Sequence, residues 1–118
     1  MSDFITYEKK VPRKIESKEE GPSPCYIEVH ANKVIAMLKV LRREEFTVAR
    51  RLLSDSLKDF RGALSVSGYP LAASTVDEMV TDVNLCQSVE DIETVLTERQ
   101  IKGVIVQADA EFRRREHR

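Results

Sequence analysis

Cysteine is scarce: the 118 residues contain two, Cys25 and Cys86, with no CxxC spacing and no pair of histidines beside either. Secreted domains of this size carry a denser disulfide framework, so a reducing compartment is expected. Both thiols are expected to be free and buried, with a single bridge between them as the alternative. Charge of one sign is also missing. Nineteen Lys and Arg against 20 Asp and Glu leave a net −1, which supplies no bulk affinity for nucleic acid or anionic lipid. Long apolar runs are absent, and a stretch such as Val34–Leu38 falls far short of the roughly 18 residues a membrane span needs. The opening MSDFITYEKKVPRK has no signal-peptide core. A soluble, intracellular chain, cytoplasmic or nuclear and without membrane contact, is the expectation.

The motifs of common enzymes are missing as well: no P-loop, GxGxxG, HExxH or GxSxG, and no paired metal-ligand spacing. His30 reads as a residue just ahead of the first helix, and His117 lies in a charged terminus. Cys25 beside Pro24 has no activating neighbour that would make it a nucleophile toward His30. Adjacent acids such as Glu90 and Asp91 project from a helix about 100° apart and make no glycosidase-type pair. No catalytic residue, cofactor or metal is expected.

What is present is a charged chain with a modest core, 42% apolar and 33% charged, a composition that excludes fibrous, fully disordered and membrane proteins. Residues 1–24 read as a flexible arm punctuated by Pro12, Gly21, Pro22 and Pro24, in which Phe4–Tyr7 is a strand, a docking peptide or disordered. Residues 25–118 read as one domain, divided into a helical hairpin (25–61) and a second module (62–118). No Gly or Pro falls between Pro24 and Gly62. Val34, Ile35, Leu38 and Leu41 recur at helical spacing, and so do Phe46, Ala49, Leu52, Leu53, Leu57 and Phe60. Arg42–Glu45 separates the two series, which predicts a turn near 43–45, with one continuous helix as the alternative. The stretch LKVLRREEFTVARRLLSDSL resembles the second helix of a tetratricopeptide-type repeat.

The second module begins with a loop over Gly62–Ser74, with a short strand at Ala63–Val66. Thr75 and Glu78 form a capping-box pattern that predicts a helix over 75–84. Ser88 and Asp91 give a weaker one, opening a helix over 88–99, with Asn84–Gln87 as the turn and Leu85 in the core. Gly103 closes that helix, Val104–Gln107 reads as a strand, and Ala110–Arg114 returns as its hairpin partner. Helix, turn, helix and β-hairpin are the order of a winged-helix domain, which Thr75–Phe112 resembles. More narrowly, SVEDIETVLTERQIKGVIVQ resembles the winged-helix half of PCI domains through Val89-Glu90, Ile101-Lys102-Gly103 and Gln107. That resemblance implies a scaffold subunit of the kind found in the proteasome lid, the signalosome and translation-initiation complexes. The chain is shorter than that family usually is.

The fold expected is therefore mainly α, a helical hairpin plus a winged-helix-like module with a small C-terminal β-hairpin. Over Thr75–Glu98 seven acids and no Lys or Arg give −7, which opposes major-groove docking, where affinity comes from neutralised phosphates. The expected function is a non-enzymatic interaction or assembly module, with Glu90, Asp91, Glu93 and Glu98 as the face for a basic protein partner. The alternative is a nucleic-acid-binding regulator that contacts phosphate through the wing and C-terminus, by Arg99, Lys102, Arg113, Arg114 and Arg115. A third reading is a plain helical bundle that forms a homodimer through Met37, Val40 and Val48; helix at Val104–Gln107 would favour it.

Overall fold

The structure, a computed structural model, describes residues 24–116, with side chains from 26 to 115. Five α-helices follow one another: α1 (Pro24–Lys39), α2 (Phe46–Val66), α3 (Pro70–Leu85), α4 (Val89–Val95) and α5 (Glu98–Glu116). A 3₁₀ turn at Leu41–Arg43 joins α1 to α2, and no strand occurs among the described residues. α2 packs against α1 and α3, and α5 packs against the same two helices, so four helices close a ring. The short α4 leans on α2 and α3.

The ring closes because each long helix carries one apolar stripe. Ile27, Ala31, Val34 and Ile35 line α1, and Ala49, Leu53, Leu57, Phe60 and Leu64 line α2. Ala72, Val76, Val80 and Val83 line α3, while Ile101, Val104 and Ala108 line α5. These side chains, with Ile92 and Leu96 from α4 and its end, form one continuous buried cluster. Phe60 at its centre is wholly buried, worth about 3 kcal/mol of hydrophobic stabilisation on its own.

The α2–α3 corner is built from the chain itself. Gly68 adopts φ +88°, the Tyr69 amide donates to the Leu64 carbonyl (2.9 Å), and the Gly68 amide donates to that of Ser65 (3.1 Å). This is a Schellman closure, with Tyr69 buried beneath it. Pro70 then starts α3 at its first position, where a missing amide proton costs nothing.

Several expectations from the sequence are corrected. The C-terminal β-hairpin and the wing do not exist: Val104–Gln107 and Ala110–Arg114 both lie in α5, which passes through Gly103. A strand would bury Val104, Val106 and Ala108 together. Instead Val106 is 69% exposed while Ile101, Val104 and Ala108 are buried, the spacing of a helix. Burial against α1 and α3 overrides the β preference of the Val-Ile-Val run. Ala63–Val66 is the last turn of α2 and no strand, and the loop expected over 62–74 contracts to 67–69. α3 starts five residues before Thr75, whose hydroxyl donates to the Leu71 carbonyl one turn back (3.2 Å) and caps nothing. The helix expected over 88–99 is two helices that break at Leu96–Thr97. Leu85, expected in the core, is 72% exposed, and Cys86 takes the buried place. His30 lies inside α1 rather than before it, edge-to-face with Tyr26 at 5.2 Å. The turn between α1 and α2 and the cap at Ser88 lie where the sequence places them, whereas the turn expected over Asn84–Gln87 falls at 86–88 because α3 runs through Leu85.

Candidate functional site

Two of the four acids assigned to a docking face are already engaged by the 3₁₀ turn. Arg42 donates to Glu93 through Nη2 (2.7 Å) and Nε (3.1 Å), and to Glu90 through Nη1 (3.3 Å). Both partners are exposed, so the bond is a surface strap from the α1–α2 turn to α4 rather than a buried ion pair. It holds the Arg42 guanidinium above its ordinary value, chiefly through Glu93. The Glu90 carboxylate is held below its usual range, first by its own backbone amide in the first turn of α4 and then by Arg42. Asp91 faces the start of α4: its Oδ2 accepts from the Gln87 amide (3.0 Å) while its own amide donates to Ser88 Oγ (3.1 Å). Glu98 lies on α5, not on α4, and Lys102 one turn on (2.9 Å) lowers its carboxylate.

The basic residues assigned to phosphate all lie on α5, without a wing between them. Arg99 and Lys102 sit near its start and Arg113, Arg114 and Arg115 in its last turn, with about 20 Å of helix between the two groups. Arg113 Nε pairs with Asp109 Oδ2 at 3.1 Å. Arg115 donates to the Gly68 carbonyl (2.8 Å) and lies over the Tyr69 ring, 5.0 Å from its centre. Arg115 is therefore part of the α2–α3 corner.

Four residues earlier on α5, Glu111 completes that corner. It is 8% exposed, and its two carboxylate oxygens accept the amides of Leu71 (3.2 Å) and Ala72 (2.9 Å). The residue at the N-cap of α3 is Tyr69, which supplies no side-chain bond, so the cap comes from another helix. Nothing in the sequence marks this role beyond an acid at helical spacing on the buried face of α5. A second cap was legible: Thr97-x-x-Gln100 is a capping box, with the Thr97 amide donating to Gln100 Oε1 (2.7 Å).

The surface feature that the sequence does not announce is a cleft between the N-terminal half of α1 and the C-terminal half of α5. It encloses about 270 Å³, and Ile27, Tyr69, Ile105, Ala108 and Phe112 wall it. Val106 stands at its lip, and the carboxylates of Glu28 and Asp109 border it. A shallower depression continues along the same seam past Ile105 to Asn32 and Lys102.

Cys86 is a free, buried thiol. Its Sγ donates to the Asp82 carbonyl at 3.3 Å, and burial, followed by Asp91 and Asp82, pushes it above the ordinary thiol value. That is the environment of an inert packing cysteine rather than a nucleophile. The side chain of Cys25, His117 and the Phe4–Tyr7 segment lie outside the described residues. Among the described residues no three His, Cys, Asp or Glu side chains converge as metal ligands, and no helix is long and apolar enough to cross a membrane.

The class this geometry defines is an all-α fold over the described residues, with four long helices that form a ring. Comparison with protein-family models, with curated proteins and with solved structures gives no match for this chain.

Proposed function

We propose that the chain is a non-enzymatic protein-interaction module and that the α1–α5 cleft is its docking surface. The observation that carries this reading is the cleft's composition: apolar walls from Ile27, Ile105 and Phe112, an exposed Val106 at the lip and two carboxylates at the edge. A pocket of this size is smaller than most small-molecule sites, and it suits one or two bulky side chains of a protein partner. Glu28 and Asp109 favour a partner segment with Lys or Arg beside its aromatic anchors. The acids of α4 have weaker support as the docking face. A basic partner there would first displace Arg42 from Glu90 and Glu93. The nucleic-acid alternative is weaker too, because Lys102 and Arg113 are engaged by carboxylates of their own helix and Arg115 by the Gly68 carbonyl.

The test is a titration with a synthetic peptide that carries two aromatic residues followed by two lysines, read from the amide resonances of Ile105–Phe112. Saturable shifts there, weakened at least tenfold by Val106→Arg with the melting temperature unchanged, are the expected result. Binding indifferent to Val106→Arg, or no binding, would overturn the cleft as a docking surface.

A further inference from the structure

We propose that the first occupant of the α1–α5 cleft is the chain's own segment Phe4–Tyr7, so that the module is self-blocked until a partner displaces it. The proposal rests on the docking reading above and adds the identity of a competitor within the same chain. Three observations carry it. The described structure begins at Pro24, and the first side chains beyond it that face a cavity, Ile27 and Glu28, line the cleft itself. The described chain therefore starts beside the site that the segment would fill. Sixteen residues separate Tyr7 from Pro24, which allows a reach of up to about 55 Å, several times the length of the cleft-lining half of α1.

The second observation is chemical. Phe4 and Tyr7 are the only aromatic residues of the first 23, and Lys9 and Lys10 follow Tyr7 after the single acid Glu8. Aromatic anchors with two ammonium groups two and three positions further on are the complement of apolar walls bordered by Glu28 and Asp109. The intervening Lys14–Pro24 is too poor in apolar residues to compete for the cleft. The third is the tether. A covalently linked segment long enough to reach the site is present at an effective concentration on the order of millimolar, enough to fill a site of modest affinity. An external partner must then outcompete it, and its apparent affinity falls by the fraction of molecules in which the cleft is closed.

The aromatic-lysine peptide described above tests the proposal in the full chain and in a Phe4→Asp, Tyr7→Asp double variant, whose substitutions lie outside the described residues. The expected result is peptide binding at least tenfold tighter to the double variant. Amide exchange over Ile105–Phe112 should also be faster in the variant before any peptide is added. Equal affinity and equal exchange for the two chains would overturn the self-blocking proposal while leaving the docking surface intact. Failure of the peptide to bind the double variant would remove the docking surface, and the proposal with it.

Discussion

Removing the Glu111 carboxylate leaves the Leu71 and Ala72 amides without their acceptor, and Ala72 is fully buried. Stranding buried donors costs about 1–3 kcal/mol each, so Glu111→Ala should lower the melting temperature by roughly 4–8 °C for every kcal/mol lost. Glu111→Gln, which keeps one acceptor oxygen, should lose distinctly less; equal loss for the two would argue against the cap. Arg42 belongs to the same scale with a different signature. The Glu90 carboxylate is held below its ordinary value in the folded chain, so the stabilisation it draws is present above the ordinary carboxylate pKa. That stabilisation is lost as the pH falls through the lowered value. The gap in melting temperature between the wild type and Arg42→Ala should therefore be present at pH 7, narrow progressively as the pH falls below the ordinary carboxylate range and shrink in 1 M salt. A gap that stays constant as the carboxylates are titrated would mean Arg42 acts through packing instead.

At the scale of elements, α5 is where the sequence and the structure part. Gly103 looks like a helix end, yet it sits within α5, and a Cβ placed there would meet nothing within 4 Å. Gly103→Ala should accordingly stabilise the protein by about 0.4–1 kcal/mol in urea unfolding, a gain that a glycine acting as a helix terminus could not give. At Gly68 the same change should destabilise, because φ is +88° and the new Cβ would lie 2.8 Å from Arg115 Nη1. Helices α1 and α2 were legible because each shows an uninterrupted apolar period with no Gly or Pro inside the span 25–61. The end of the chain was not, because Val104-Ile105-Val106 satisfies a strand and a helix equally until its neighbours are known. Thr75 and Glu78 misled for a related reason: a capping pattern inside a helix is spelled like one at its start, and only Pro70 and a distant Glu111 decide where α3 begins. Of the candidate site, the acids of α4 could be read from the sequence. Their engagement by Arg42, about fifty positions away, could not.

On the scale of the whole molecule, the ring of four helices carries an apolar cleft along the seam between α1 and α5, and the docking and self-blocking proposals both fall on it. The helical bundle weighed from the sequence agrees with the observed helix at Val104–Gln107. The residues then assigned to its dimer face, Met37, Val40 and Val48, are half-buried in the single chain, and Met37 packs against the core. They offer less exposed apolar surface than Val106 does at the cleft.

The cap that Glu111 lends to α3 spans 39 positions of sequence, and it also orders events in time. A ribosome delivers α3 well before α5, so through that interval the nascent chain carries a helix whose first amides have no protein acceptor. Stable folding must wait until Glu111 has cleared the exit tunnel. Chains arrested on the ribosome a few residues short of that point should remain open to protease, and those arrested well beyond it should resist.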